Sequence, residues 1–169
     1  GYQVRRFMVS KLSLEHAWDR YHDISYATET EAGVLTLSSE TINEMLQKLK
    51  TLEDVKVEIS QHAGSKDSHR ISRVLEIIMA GALSLGASDV HLEPQSDRVR
   101  LRYRLDGVLN DVAFLVPPSY KFILSRIKLI SEIKLNIQTR GQDGRFTIEM
   151  ENLEMEVRVS TLPGPYGEN

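Results

Sequence analysis

The sequence predicts an α+β fold, on three observations. Asp106-Gly107 sits between two alternating apolar runs, among the strongest hairpin signals a sequence offers. Ile71, Val74, Leu75, Ile78, Ala82 and Leu85 recur at helical spacing. Phe146 to Met150 and Met155 to Val159 alternate as a strand pair joined around Glu151-Asn152.

Taken in order, Leu14 to Tyr21 reads as a short helix and Gly33 to Ser38 as a short strand. Ile42, Met45, Leu46 and Leu49 place an amphipathic helix over about 40–52, with Thr41 and Glu44 as a capping box. Val55, Val57 and Ile59 alternate with Lys56 and Glu58 and predict a strand. These elements make residues 1–66 a small N-terminal α/β region. The polar stretch Gln61 to Ser68 is the expected linker.

Residues 67–169 form the second unit. Its first helix ends at Gly86, a residue suited to a C-cap. Val90 to Glu93 is a strand stopped by Pro94, and Arg98 to Leu105 and Val108 to Leu115 are the arms of the hairpin. Pro117-Pro118 suit the first turn of a helix whose buried face holds Ile123, Ile127 and Ile130. Phe114 to Phe122 reads as core around the double proline, and Gly141 to Gly144 as a turn.

The 169 residues contain no cysteine, which excludes a disulfide framework, Cys-ligated metal and a Cys nucleophile. The most apolar stretch, Ile77 to Leu83, is far shorter than the ~20 residues of a spanning helix, so no membrane insertion is expected. Gly1 at the start and Glu168-Asn169 at the end predict a piece of a longer protein. The net charge of -3 argues against a nucleic-acid-coating protein. The distribution is uneven, however. Between Arg98 and Arg145 there are 10 Lys+Arg and 4 Asp+Glu, net +6; from Phe146 onward 1 basic and 5 acidic residues give −4. A positive surface beside a negative strand pair suits an anion, a nucleotide's phosphates or an acidic partner face.

Within the positive stretch, Arg98, Arg100, Arg102 and Arg104 alternate with Val99, Leu101, Tyr103 and Leu105. A strand puts all four arginines on one face, as a phosphate-binding surface or as partners of acids across the sheet. Asp89, His91 and Glu93 share a face of the preceding strand, but no second ligand set accompanies them, so no metal is expected. The chain has no G-x-x-x-x-G-K-[ST] loop, no G-x-G-x-x-G and no G-x-S-x-G elbow, so no catalytic residue is assigned in it. Two alternatives use the arginine face. One is a nucleotide-sensing domain, for example for a cyclic dinucleotide. The other is single-stranded nucleic-acid binding, which the inward-pointing Tyr103 makes the weaker.

Five ordered motifs carry a family resemblance. They are Ala87-Ser88-Asp89-Val90-His91-Leu92-Glu93-Pro94, Arg102 to Leu109, Ser125-Arg126-Ile127-Lys128, Gln142-Asp143-Gly144-Arg145, and Arg158 to Pro163 with Tyr166-Gly167-Glu168. Together they resemble the second N-terminal domain of the type II secretion and type IV pilus assembly ATPases. The resemblance covers about 70–169; residues 1–66 resemble the variable first region only weakly. It implies a PAS-like antiparallel sheet flanked by helices, followed in the parent protein by a RecA-like catalytic domain that uses ATP and Mg2+. It further implies a cytoplasmic homohexamer, peripheral to the inner membrane through platform and adaptor proteins, with no nucleic-acid partner. By the same resemblance Arg126 and Arg145 reach nucleotide phosphates as an arginine finger does. Many members carry Arg-Leu-Pro just before the Gln-Asp-Gly-Arg motif. Here Thr139-Arg140-Gly141 stands there, so Arg140 is either a displaced phosphate ligand or an exposed loop residue. Arg98, Arg100, Arg102, Arg104 and Arg158 are assigned to interfaces.

Overall fold

A computed structural model of the chain describes residues 10–12, 34–36, 39–63, 68–150 and 153–169. The helix expected over Leu14 to Tyr21 lies outside these residues, as do Gly64 to Asp67 of the expected linker and the Glu151-Asn152 junction. The helices among the described residues are α1 (Ser39–Lys48), α2 (Leu52–Ala63), α3 (Ser68–Ser84) and α4 (Pro117–Ile130). The strands are β1 (Val34–Thr36), β2 (Asp89–Pro94), β3 (Val99–Leu105), β4 (Val108–Leu115), β5 (Gln142–Met150), β6 (Leu153–Thr161), β7 (Pro163–Gly164) and β8 (Gly167–Glu168). The α+β class is as the sequence predicts, with the strands distributed over two three-stranded sheets and a ribbon. β2-β3-β4 is antiparallel; in β1-β5-β6, β5 and β6 are antiparallel and β1 lies parallel to β5; β7 pairs with β8.

One apolar cluster joins the four helices to the two three-stranded sheets. Leu49, Val55 and Ile59 meet Leu75, Ile77 and Ile78 of α3, and the same cluster takes in Leu101 and Tyr103 of β3, Ile123 of α4 and Phe146 of β5. Burial of such side chains, roughly 1.5–3 kcal/mol each, is the main force holding helices to sheets. Tyr103 brings a polar atom into this core. Its hydroxyl donates to the Ile78 carbonyl at 2.7 Å, and burial pushes the phenol above its ordinary pKa. Gly81 lets α3 come close: a Cβ there would lie 2.8 Å from Val55 Cγ2 and 3.1 Å from the Tyr103 hydroxyl.

Local chemistry sets the element ends. Asp106 (φ 49°) and Gly107 (φ 81°) are both left-handed, the combination a type I′ hairpin turn requires. Gly86 (φ 66°) closes α3 in a Schellman motif, with Ala87 N–H donating to Ala82 O at 2.8 Å and Gly86 N–H to Leu83 O at 3.2 Å. α4 opens with Pro117 and Pro118 in its first turn. It closes in a second Schellman motif, Ile133 N–H to Lys128 O at 2.8 Å, with Glu132 (φ 57°) in the left-handed position.

Four sequence expectations are corrected. α1 begins at Ser39, two residues before Thr41, so Thr41 is inside the first turn and does not cap it. The expected strand Val55–Ile59 is helix α2. Its start carries a reciprocal cap: Asp54 N–H donates to Thr51 Oγ1 at 3.2 Å, and Thr51 N–H to Asp54 Oδ2 at 2.8 Å. Val55 and Ile59 face the core one turn apart, while Val57 is 46% exposed. The expected turn Gly141 to Gly144 is largely strand, because β5 starts at Gln142. Finally, Phe114 and Phe122 are exposed rather than core, at 50% and 57%. In β4 the register slips, Leu101 facing Ala113 but Arg102 facing Asp111, so Val112 is extra. This bulge turns both Val112 and Ala113 inward and Phe114 outward. On α4 the buried side belongs to Tyr120, Ile123 and Ile127, which leaves Phe122 on the other face.

The helical α2 predicts unequal valines. Val55→Ala should lower stability by roughly 2 kcal/mol in urea denaturation, and Val57→Ala by less than about 0.5 kcal/mol. Equal losses at both positions would return the segment to a strand.

Candidate functional site

The arginine row of β3 forms a ladder with acids on both neighbouring strands. Antiparallel register sets Asp89 opposite Arg104, His91 opposite Arg102 and Glu93 opposite Arg100. Arg104 Nε donates to Asp89 Oδ2 at 2.8 Å. Arg102 grips Glu93 Oε1 through Nε at 3.1 Å and through its second nitrogen. Arg100 holds Asp111 with two bonds, 2.7 and 2.9 Å. Arg98 lies outside the ladder, its guanidinium 4.6 Å above the Phe114 ring and its Nε donating to Gln95 Oε1 at 3.2 Å. The Ser88 hydroxyl, and after it Arg104, hold the Asp89 carboxyl below the ordinary range; Arg100 does the same for Asp111 and is itself raised by it. The local excess of positive charge on this strand is therefore met by carboxylates of the same sheet.

A second group of residues surrounds the end of α4. Lys128 is 1% exposed and Glu168 6% exposed, and their charges meet at 2.5 Å. Lys128 Nζ also donates to the Ile137 carbonyl at 3.1 Å. The Tyr120 hydroxyl donates to the Glu168 backbone carbonyl at 2.6 Å; burial first, then the Glu168 charge, raises its pKa. Gln142 Nε2 donates to the carbonyls of Lys134 and Ile137, at 3.0 and 2.9 Å. Asp143 accepts from the Ser160 hydroxyl at 2.5 Å. Gly144 backs onto the α4 terminus: a Cβ there would lie 2.3 Å from Ser131 O and 2.7 Å from Ile133 Cγ1.

These contacts explain the Gln142-Asp143-Gly144-Arg145 motif residue by residue. The first three members hold a loop, a neighbouring strand and a helix end. The fourth, Arg145, turns outward from β5 at 78% exposed, with one long contact of 3.9 Å to Glu156. Arg158 is its direct cross-strand partner, also outward. Glu132, Asp143 and Glu156 line the shallow depression beside Arg145. One guanidinium among three carboxylates is not an enclosed anion pocket; it suits an anion presented from outside on another surface. Arg126 sits half-buried on α4, on a different element from Arg145, and Arg140 is exposed in the loop before β5. The Ser125-Arg126-Ile127-Lys128 motif divides in the same way. Ser125 Oγ donates back to Lys121 O at 2.8 Å, and Ile127 and Lys128 are buried.

Sequence reasoning missed Lys128 and Glu168 as a pair. Both stood in recognised motifs, but a partnership across 40 residues has no local spacing signal. Among the described residues no helix is long and apolar enough to cross a membrane. Nor does any group of three His, Asp or Glu there have the arrangement of a metal site.

Residues 64–169 match the family model of the type II/IV secretion system proteins. The chain is 28% identical over 98% of its length to a type IV pilus assembly ATPase, TfpB, of Acinetobacter baylyi, covering 27% of that protein. It is 30% identical over 98% of its length to a type II secretion system protein E of Pseudomonas aeruginosa, and 32% identical over 86% to a protein transport protein HofB homolog of Haemophilus influenzae, covering 33% of each. The chain thus spans about a quarter to a third of the length of these relatives.

Two predictions follow from the two kinds of ion pair. Lys128→Met strands Glu168 in the core and should cost about 3–5 kcal/mol in denaturant unfolding, and Lys128→Met with Glu168→Leu should recover most of it. A single-variant loss below about 1 kcal/mol would contradict a dry pair. The ladder instead gives a pH signature. Asp89 and Asp111 have folded pKa values below their unfolded ones, so their contribution is complete above about pH 4 and lost as pH falls through the folded values. Asp89→Asn with Asp111→Asn should lower the Tm at pH 7, and the gap to wild type should close as pH falls through the depressed folded values of the two carboxyls. A gap unchanged with pH would assign the loss to packing.

Proposed function

This chain belongs to the type II/IV secretion system protein family, and we propose that it is the N-terminal part of an ATP-driven motor for secretion or type IV pilus assembly. In this reading residues 1–66 are the variable first region and 67–169 the second N-terminal domain. A RecA-like domain in the parent protein binds ATP and Mg2+. Arg145, with Arg126, reaches the nucleotide's phosphates across the interface with that domain, so that turnover is coupled to domain motion. The parent protein is a cytoplasmic homohexamer that works on an inner-membrane platform through adaptor proteins. Arg98, Arg100, Arg102, Arg104 and Arg158 lie at domain or subunit interfaces, where their charge partners can be exchanged.

The observation that carries this reading is the division of labour in the Gln142-to-Arg145 motif. Three residues fix the backbone, and the fourth offers a permanent charge outward from a rigid strand. A guanidinium delivered that way stabilises charge building on a transferred phosphoryl group. The carboxylate ladder works against the alternative of a cyclic dinucleotide on Arg100 and Arg102, since a ligand there must first displace Asp111 and Glu93.

The test is ATP turnover in the full-length parent enzyme. Arg145→Ala should lower kcat by about 10³-fold, within the range an arginine finger supplies, at little change in folding. Arg140→Ala should leave kcat within about twofold, as expected of an exposed loop residue. Wild-type kcat in Arg145→Ala would remove the phosphate role. The 169-residue chain alone, having no phosphate-cradling loop, should hydrolyse no ATP.

A further inference from the structure

The sheet β1-β5-β6 ends on β6, and among the described residues no strand pairs with its outer side. In an antiparallel ladder, alternate residues direct both N–H and C=O away from the partner, so this edge presents a row of such groups with no strand partner among the described residues. Edges are protected by a bulge, a proline, an inward-pointing charge, charged side chains on the edge, or a covering helix or loop. β6 has no bulge, proline or inward-pointing charge, and its nine residues pair with β5 in unbroken register; what it has is charge of both signs. Its charges, Glu154, Glu156 and Arg158, lie on the exposed face, while Met155, Val157 and Val159 point to the half-buried one.

We propose that this edge pairs with the β6 edge of a second copy of the chain, antiparallel, about a two-fold axis through Val157. The charge pattern selects both occupant and register. A two-fold axis normal to the sheet keeps like faces together only when it passes through a residue. Centred on Glu156 it would set Glu156 against Glu156; centred on Arg158, Arg158 against Arg158. Centred on Val157 it pairs all nine residues, sets Glu156 opposite Arg158 twice and brings no like charges face to face. On the other face Val157 then meets Val157, and Met155 meets Val159. The existing contacts of Glu156, 3.4 Å to Arg158 and 3.9 Å to Arg145, are exposed and long, and leave its carboxylate able to re-pair. The contact is isologous, whereas a ring of subunits closes through head-to-tail contacts. It goes beyond the motor reading and does not rest on it.

Sedimentation equilibrium of the 169-residue chain tests this, with circular dichroism as the check on folding. Wild type should show a monomer–dimer equilibrium over the micromolar range. Arg158→Glu places four glutamates at the centre and should weaken the dimer about tenfold or more. Glu156→Arg with Arg158→Glu restores both opposite-charge pairs and should return the dimer towards wild-type affinity. A wild type that stays monomeric overturns the proposal. So does a dimer indifferent to Arg158→Glu, or one that the double exchange fails to rescue while the variant remains folded.

Discussion

A lysine and a glutamate with almost no access to water set the terms for the second half of this molecule. Removing Lys128 and Glu168 from solvent costs several kcal/mol per ion, and their attraction offsets it only if the remaining donors and acceptors are satisfied. That requirement spreads outward. Lys128 takes the Ile137 carbonyl as a second partner, and Gln142 shares that same carbonyl. Tyr120 holds the backbone of Glu168 from the opposite end of α4. Helix, connecting loop, the first residue of β5 and the β7-β8 ribbon thereby form one hydrogen-bonded unit. None of these elements can shift without breaking one of these hydrogen bonds.

The β3 ladder shows what the same chemistry does at a surface. Its three arginine–carboxylate pairs are solvent-accessible and screened, so they add little stability individually. Their effect is on the field. The net charge of the whole chain hides a basic segment, and the structure in turn pairs three of its arginines with Asp89, Glu93 and Asp111. A summed charge over a window cannot distinguish a binding face from a ladder. The distinction needs register, and register comes from the neighbouring strands.

What the sequence made legible follows from this difference between local and non-local causes. The Asp106-Gly107 hairpin, the α3 stripe, the Gly86 cap and the Pro117-Pro118 helix start each depend on a few adjacent residues, and each is in place. The α2 misreading was also local: three alternating apolar residues fit period two, but Thr51 and Asp54 supplied a helix cap and Leu52, Val55 and Ile59 fit a helical stripe. Gly141 to Gly144 looked like a turn because it is rich in glycine. Gly144 is small for another reason, the approach of the α4 terminus. The outward Phe114 needed a bulge, and the Lys128–Glu168 pair needed the tertiary fold; neither leaves a spacing pattern to read. For the candidate site, the motif was visible, and the separate tasks of its four residues were not.

That separation bears on how a long, flexible side chain can be presented for contact. An arginine carries substantial rotamer entropy, and a contact to a phosphate must overcome the cost of ordering it. If the backbone beneath it also moved, that cost would grow and the geometry would blur. Here the backbone of Arg145 is held from three directions, by Gln142 to the 134–137 loop, by Asp143 to β6, and by Gly144 against α4. Only the side chain remains to be ordered on contact. The same framework holds Glu168 against α4, so the β7-β8 ribbon is also fixed relative to the backbone of Arg145. The displayed charge of Arg145 and the β7-β8 ribbon are thus referenced to one buried ion pair.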